Sequence, residues 1–465
     1  MTQLSTRKVS GPPENSDSNV VSLSDVRVAS SGETSEDSIA RAFTEAHKKD
    51  LRFDHDVGRW YEWDEHRWRA DRMKKAFDYA RRHARQVGGG QRSLSRASVA
   101  AGVERFAQSD PGHAVTHEIW DTDPWLLGTP DGTVDLRTGQ LLSARREDYI
   151  TKTTSVGPEN AQPYLWLRFL DEVTQSDSEL IRFLQRWAGY CLTGSTREHA
   201  LLFIYGPGGN GKSVFLNILS KIMGDYCATA QTESLVASKH DRHPAEIAAL
   251  AGARLVTASE TEADRSFAEA KIKALTGSDP ITARFMRQNP FTFTPTFKLT
   301  IAGNHAPRLV SVDEAMMRRL RIVPFTATPL APDRDLELKL SGELGRIFQW
   351  AIDGCLDWQQ HGLVQPRVVA AATAEYFTEQ DVLGAWLAEC CYVDHGNANV
   401  TESIAILHAD FNRFANDREG CLSSRSFGTA LKKRGFETKT VRLSGKPGKV
   451  YIGLKLCNSD IDGDR

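Results

Sequence analysis

The sequence has 465 residues, of which 40% are hydrophobic and 25% are charged, a composition typical of a globular protein with two to four domains. Its 58 basic and 60 acidic residues leave a net charge of −2, which excludes a polycationic or strongly acidic chain. No apolar run reaches the roughly 18 residues of a membrane span, and no signal peptide begins the chain. Seven cysteines without C-x-x-C spacing predict free thiols in a cytoplasmic protein.

The N-terminal third of the chain predicts a polar tail followed by a small mixed domain. Residues 1–37 are rich in Ser, Asp, Glu, Gly and Pro, which predicts disorder. Ser38 is predicted to cap the first helix, and alternating aromatic residues at 51–71 predict a β-hairpin or meander. Helix at 71–108 and two short strands within 120–141 complete an α+β N-terminal domain at 38–155.

One segment of this domain is strongly basic. Between Arg72 and Arg96 there are eight Lys or Arg residues and one acid, Asp78. Such a run is usually a solvated helix face, and contact with nucleic acid is the alternative.

A glycine-rich motif follows a helical collar predicted at 160–198 and opens a core domain predicted at 199–330. An apolar strand at 201–205 leads into GPGGNGKS and then into an amphipathic helix, the context that a phosphate-binding loop (P-loop) requires. Lys212 is expected to reach the β- and γ-phosphates, and Ser213 to ligate Mg²⁺. The predicted nucleotide-binding residues are Gly206, Pro207, Gly208, Gly209, Asn210, Gly211, Lys212, Ser213 and Val214.

Hydrolysis also needs groups from neighbouring strands. The strand at 254–260 ends at Glu260, the candidate for Mg²⁺ and for water activation, with Glu262 as its competitor. A third strand at 297–303 ends at Asn304, whose side chain could hold the γ-phosphate or orient water. Arg318 and Arg319 are candidates for an arginine finger that a neighbouring subunit supplies, although surface ion pairs are the common alternative.

The segment at 271–298 predicts a basic β-hairpin with aromatic residues. Such a hairpin could track a single strand through phosphate contacts and base stacking. Its basic residues are Lys271, Lys273, Arg284, Arg287 and Lys298.

The C-terminal part predicts helices at 331–393 and a winged helix at 398–458. The winged helix is indicated by two helices followed by two strands, and residues 401–457 carry 11 basic and 5 acidic residues, a net charge of +6. Binding to DNA is favoured over a protein contact for this domain. Cys390, Cys391 and His395 lack a second ligand pair, so zinc is not expected.

The motifs in their order resemble a known family. GPGGNGKS, RLVTASETE, KALTGSDPITARF, FTPTFKLTIAGNHAPR and DEAMMRRLRIVPF resemble a superfamily 3 helicase, specifically the phage and plasmid primase-helicases related to the poxvirus primase-helicase. FDHDVGRWYEWDEHRW and DGTVDLRTGQL are similar to that family's helicase-associated domain. The resemblance covers roughly residues 40–457. It implies an α/β P-loop ATPase core of the AAA+-like type, flanked by the N-terminal domain and the winged helix.

The resemblance also implies how the residues act. It implies ATP and Mg²⁺ as ligands, and a homo-hexameric ring on single-stranded DNA in a bacterial host cytoplasm. Glu260 corresponds to the motif B acid, Asn304 to the motif C sensor, and Arg319 rather than Arg318 to the finger. Lys273 and Arg284 fall in the segment that forms DNA-contacting loops in relatives.

Two departures and two competing functions remain. Ser259 stands where many members carry a second acid, and only a tail predicted to be disordered precedes residue 38, so primer synthesis by this chain is not expected. We expect an ATP-dependent ring helicase for the replication of phage or plasmid DNA. The alternatives are an ATP-switched origin-binding or helicase-loader protein, and a DNA-packaging motor, which the compact motif spacing and the missing nuclease domain disfavour.

Overall fold

A computed structural model describes most of the chain. The described residues are 35–89, 91–237, 245–259, 266–286, 289–305, 307–309, 313–329, 332–416, 420–443 and 446–457. The candidate residues Glu260, Glu262 and Arg287, and the tail at 1–34, lie outside them. Two units divide the chain, one formed by residues 1–49 with 72–114 and the other by 50–71 with 115–465.

The first unit is a bundle of three helices. These are α1 (Glu36–His47), α2 (Lys75–Val87) and α3 (Ala97–Gln108). Helix α1 begins three residues before the predicted start, because Ser35 and not Ser38 is the N-cap; the two serines form a reciprocal capping box. Phe43 is fully buried among the helices, and small residues on α2 and α3 allow close packing.

The second unit begins with two antiparallel sheets. The meander predicted at 51–71 is present as β1 (Leu51–Asp54), β2 (Arg59–Trp63) and β3 (Trp68–Ala70), and a short strand, β4 (Ala114–Val115), follows. The region at 120–141 forms three strands rather than the two predicted, namely β5 (Leu126–Thr129), β6 (Gly132–Asp135) and β7 (Gln140–Leu142).

Two long helices pack closely beside the core. The collar region forms α4 (Tyr164–Thr174) and α5 (Ser178–Leu192). The connection between them includes Gln175 and Ser176, which both have positive φ. Helix α5 packs against the later helix α11 (Leu344–His361) through Gly189 and Gly354. A Cβ at Gly189 would lie 2.0 Å from a backbone nitrogen of α11, and a Cβ at Gly354 would lie 2.1 Å from a carbonyl oxygen of α5. This approach therefore requires glycine.

The centre of the second unit is a five-stranded parallel sheet. Its strands are β8 (Leu201–Tyr205), β9 (Cys227–Thr229), β10 (Leu255–Ser259), β13 (Lys298–Gly303) and β14 (Leu320–Pro324), in the order β14-β8-β13-β10-β9. All four neighbouring pairs are parallel. The strands are almost continuously apolar because helices cover both faces of such a sheet. The helix that follows β8 is α6 (Lys212–Met223).

The remaining elements of the central region connect these strands. They are α7 (Ala245–Ala248), α8 (Glu269–Leu275), the hairpin strands β11 (Ile281–Ala283) and β12 (Phe291–Phe293), α9 (Glu314–Arg319) and α10 (Leu336–Leu340). Among the described residues, no helix is both long enough and apolar enough to cross a bilayer.

The C-terminal region contains the two helices and the hairpin that the sequence predicts. Its elements are α12 (Arg367–Gln380), α13 (Val382–Cys390), β15 (Cys391–Val393), β16 (Thr401–Ser403), α14 (Ile404–Asn416), α15 (Ser424–Lys433), β17 (Thr438–Leu443), β18 (Lys446–Ile452) and β19 (Leu454–Leu456). Strand β18 pairs with β17 on one side and with β16 on the other, and β15 pairs with β19. Leu407 and Phe411 of α14 and Phe427 and Leu431 of α15 are among the buried residues that form the core of this region.

Candidate nucleotide-binding site

The glycine-rich loop (residues 206–211) connects β8 to α6 at the carboxyl edge of the parallel sheet. Gly208, Gly209 and Gly211 have φ values of +105°, +65° and +84°, a region that side chains with a Cβ rarely adopt. A Cβ at Gly206 would lie 2.0 Å from the carbonyl oxygen of Phe325, just after β14. The loop geometry therefore depends on glycine both for its turns and for its contact with β14.

Lys212 begins α6 and is buried, with 7% of the residue exposed. Its Nζ donates to the carbonyl oxygen of Gly206 at 2.7 Å, to Oδ1 of Asn210 at 2.9 Å and to Oδ1 of Asn304 at 3.1 Å. Asn304 directly follows β13, the strand beside β8. The structure therefore brings together two residues that are far apart in sequence and that the sequence analysis assigned to one site.

Asn210 has a role that the sequence analysis did not identify. Its side chain is almost fully buried, Nδ2 donates to the carbonyl oxygen of Phe325, and Oδ1 accepts from Lys212. The loop is thereby fixed to the end of β14 and to the lysine at once. The available sequence signal was a polar residue between two glycines, because a buried asparagine can form hydrogen bonds with backbone groups and an apolar side chain cannot.

A cavity of about 960 Å³ opens beside the loop. Seven of the nine predicted nucleotide-binding residues, 208–214, line it together with Asn304, whereas Gly206 and Pro207 do not. Residues of α4 and residues 327–329, 332, 333 and 336 also line it, with apolar side chains at Phe169, Val173 and Leu336. This volume is within the range of small-molecule and cofactor pockets.

Helix α4 was predicted only as part of a helical collar, yet it forms a wall of the site. A Cβ at Gly211 would lie 2.7 Å from the ring of Phe169 and 2.8 Å from Val173, so the loop packs directly on this helix. Arg168 and Glu172 pair at 3.0 Å along the same wall, and Asp333 and Lys339 form a second ion pair near it. The cavity is thus lined by the polar glycine-rich loop, by apolar side chains and by two ion pairs.

The oxygen groups available for a cation are only partly described. Ser213 is exposed on the first turn of α6 and lines the cavity, so its hydroxyl is positioned to serve as a hard oxygen ligand. Glu260 and Glu262 lie outside the described residues. Strand β10, which ends one residue before Glu260, runs beside β13 with Ser259 opposite Ala302. Among the described residues, no three His, Cys, Asp or Glu side chains form a cluster that could hold a metal ion.

The two arginine candidates lie on α9, and neither is among the residues that line the cavity of its own chain. Nε of Arg319 donates to Oγ1 of Thr276 at 3.2 Å, and one terminal nitrogen donates to the carbonyl oxygen of Ala315 at 3.0 Å. Arg318 is exposed, and its Nε donates to the carbonyl oxygen of Glu314 at 3.3 Å. Arg319 is therefore held within its own chain more firmly than Arg318.

The predicted DNA-contacting residues have different environments. Arg284 is exposed directly after β11, next to Phe285, whose ring stacks on Phe291 with centroids 5.5 Å apart. Lys273 instead lies on α8 and pairs with Asp313. Burial acts to raise the pKa of Asp313, but hydrogen bonds from Lys273 and from a backbone N–H outweigh it and lower that pKa.

The assignment of Lys298 to a DNA-contacting hairpin is wrong. Lys298 is the first residue of β13, is 1% exposed, and donates to the carbonyl oxygens of Thr193, Ser195 and Thr296. Burial lowers its pKa to about 7. Its long side chain supports the loop after α5 from inside the protein, because Nζ lies within hydrogen-bonding distance of all three carbonyl oxygens.

Two family models match parts of the chain. Residues 40–175 match the family described as D5 N terminal like, and residues 204–319 match a family of unknown function. The second match begins on β8 and ends at Arg319, so it contains the glycine-rich loop, Asn304 and both arginine candidates.

Several viral proteins are similar in sequence. A protein of Acanthamoeba polyphaga mimivirus named as a helicase is 25% identical over 58% of this chain and 31% of its own length. A protein of Frog virus 3, also named as a helicase, is 28% identical over 45% of this chain and 24% of its own length. A protein of African swine fever virus named as a primase is 25% identical over 43% of this chain and 22% of its own length. The chain therefore spans less than a third of the length of these relatives.

A solved structure shares the fold. The C-terminal region of NrS-1 without ligand aligns with a TM-score of 0.50 at 10% identity, over 90% of this chain and 99% of that one. At this identity the likeness concerns the fold alone.

Proposed function

We propose that this chain is a D5-like primase-helicase that hydrolyses ATP to drive translocation of a ring along single-stranded DNA during replication. The proposal is carried by one observation, the convergence of Lys212 and Asn304 in the lining of the cavity. A buried lysine at a glycine-rich turn, with an amide from the neighbouring strand, is what a triphosphate site needs.

The cavity suggests how ATP would lie. The triphosphate would follow the glycine-rich loop, where no atom lies within 4 Å of a Cβ position at Gly208 or Gly209, and would meet the N-terminus of α6. The base would extend toward the apolar wall of Phe169 and Leu336. Mg²⁺, held by Ser213 and Glu260 in this proposal, would supply positive charge to the β- and γ-phosphates.

The reacting groups then have separate roles. Lys212 would exchange neutral oxygens of its own chain for phosphate oxygens, which stabilises the charge that develops on the transferred γ-phosphoryl group. Asn304, released from Lys212, would orient the attacking water or hold the γ-phosphate. Glu260 would accept the proton of that water, so that ATP and water give ADP and inorganic phosphate.

In the proposed ring, a neighbouring subunit would supply the arginine finger. We propose Arg319 as the finger, as the family resemblance implies, with Arg318 as the alternative because it is more exposed. Mixing two inactive variants distinguishes them. Arg319→Ala mixed with Lys212→Ala regains ATPase activity if Arg319 acts across an interface, because some sites then combine an intact lysine with an intact arginine. Arg318→Ala, as the matched variant, should remain active without mixing.

The β11–β12 hairpin is the proposed contact for single-stranded DNA. Arg284 would contact phosphate, the stacked pair of Phe285 and Phe291 would offer an aromatic surface to bases, and Lys273 and Arg287 would add charge.

The first experiment measures ATPase activity with and without single-stranded DNA, together with mass by light scattering. Lys212→Ala should abolish hydrolysis, whereas Lys221→Ala, at the far end of the same helix in an exposed ion pair with Glu337, should not. DNA-stimulated hydrolysis by a hexamer supports the helicase, and unwinding of a forked duplex completes the test. An active hexamer that never separates strands would contradict it.

A second function remains open because of the C-terminal region. Helix α15 begins at a serine cap and exposes Arg425, Lys432 and Lys433, and the adjacent hairpin exposes Arg442 and Lys449. In an ATP-switched origin-binding or loader protein, this proposed winged helix would carry the main activity. Sequence-selective duplex binding by a monomer whose slow hydrolysis ignores DNA would favour that function.

A further inference from the structure

The three-helix unit carries a concentration of positive charge that the proposed ATPase does not use. We define its basic face as the cations of residues 72–96, which are Arg72, Lys74, Lys75, Arg81, Arg82, Arg85, Arg92 and Arg96. All eight are exposed. The one acid of this segment, Asp78, pairs with Arg81 and with Arg82. The rest of the chain has 50 basic and 59 acidic residues, a net charge of −9, against +7 for this segment.

The packing of α2 explains why three of these charges lie on the same side of the helix. Ala76, Ala80 and Ala84 recur every fourth residue and are buried. This spacing places them on one stripe of the helix, so the cations at 75, 82 and 85 lie on the opposite side. From Lys75 to Arg85 the helix extends about 15 Å. Over that length a duplex presents roughly four phosphates on each strand.

The same face lacks the groups that bind single strands. Its two aromatic residues, Phe77 and Tyr79, are half-buried, and Tyr79 stacks on His47 with centroids 5.3 Å apart and planes 7° from parallel. Exposed aromatic rings are what single-strand sites use to stack bases. Charge without a stacking surface instead fits a duplex, whose bases are already stacked and whose phosphates lie outside.

We propose that the basic face binds the phosphate backbone of double-stranded DNA, as a second nucleic-acid site that does not require ATP. The choice of DNA rather than RNA as the ligand rests on the proposed function. Because the contacts are to phosphate, binding should be independent of sequence and should weaken steeply with salt.

The test compares two variants of the full chain with equal loss of charge. Arg82→Gln, Arg85→Gln and Arg92→Gln together remove three cations of the basic face. The matched control, Arg41→Gln, Lys49→Gln and Arg105→Gln, removes three exposed cations located elsewhere in the same unit. Binding to a labelled 20-base-pair duplex is followed by fluorescence anisotropy without nucleotide, between 50 and 200 mM salt.

The face variant should bind the duplex at least about tenfold more weakly at 100 mM salt, and the slope of log K against log salt should fall by about 2.7, or 0.9 for each lost contact. The control should stay within about twofold of the wild type. Unchanged duplex affinity in the face variant, or an equal loss in the control, would overturn the proposal, and the first result would point to an acidic protein partner.

Two further arms complete the design. Binding to a 20-nucleotide oligo-dT should change by less than about twofold in the face variant, because that ligand would use the β11–β12 hairpin. A loss confined to the single strand would overturn the duplex assignment. The same comparison in a Lys212→Ala background should give the same duplex result, so that failure of the ATPase proposal leaves this one testable. An unchanged melting temperature shows that the variants are folded.

Discussion

Replacing Asn210 by alanine should loosen the glycine-rich loop at its anchor. The substitution removes the hydrogen bond to the carbonyl oxygen of Phe325 and the one from Lys212. A neutral hydrogen bond contributes about 1 kcal/mol and one to a charged group about 2 kcal/mol, so unfolding should become about 3 kcal/mol easier. Because the side chain is 1% exposed, water cannot replace these bonds without reorganisation of the loop.

Differential scanning fluorimetry and ATPase kinetics test this expectation. A loss of this size should lower the melting temperature by roughly 3 °C in a chain of this length, and the KM for ATP should rise because the loop is no longer preorganised. Asn304→Ala is the matched control: Asn304 is exposed, so its loss should reduce turnover by about 100-fold with little change in melting temperature. An Asn210→Ala protein with the melting temperature and KM of the wild type would refute the anchoring role.

Three further substitutions test buried contacts elsewhere in the second unit. Gly189→Ala should lower the free energy of unfolding by more than about 3 kcal/mol, because the new Cβ would lie 2.0 Å from a backbone atom of α11. Gly342→Ala is the control and should be tolerated, because no atom lies within 4 Å of its Cβ position. Urea unfolding measures both. Asp357→Asn should cost about 3 kcal/mol by leaving the buried guanidinium of Arg186 unpaired, and a difference below about 1 kcal/mol would contradict the pairing. Hydrogen bonds from arginines lower the pKa of the Asp357 carboxyl, so this stabilisation should be present above about pH 4 and disappear as the pH falls further. Burial lowers the pKa of Lys298 to about 7, whereas a lysine in the unfolded chain has a pKa of about 10.4. Between these two pH values the unfolded chain binds more protons than the folded one, so the stability of the wild type should rise from pH 7 to 9 relative to Lys298→Met. Parallel curves of stability against pH for the two proteins would refute this.

Much of this molecule could be predicted from local sequence. The strand at 201–205, the glycine-rich loop and α6 follow from an apolar run, three turns that need glycine and a helical pattern, all within some twenty residues. The meander at 51–71 and the C-terminal helices and hairpin are also present where predicted. The family resemblance, drawn from motifs in order, is confirmed by the D5 N terminal like match and by the viral relatives.

The tertiary structure decided which of those residues meet. The sequence by itself determined that Lys212 begins a helix after a glycine-rich turn and that Asn304 ends a strand, because both depend on nearest neighbours. Only the strand order, with β13 beside β8, places their side chains 3.1 Å apart. Likewise, a basic run does not reveal which cation is buried: Lys298 supports three carbonyl groups inside the protein, whereas Arg284 faces solvent. Charge and periodicity are local properties, but burial depends on contacts between segments that are distant along the chain.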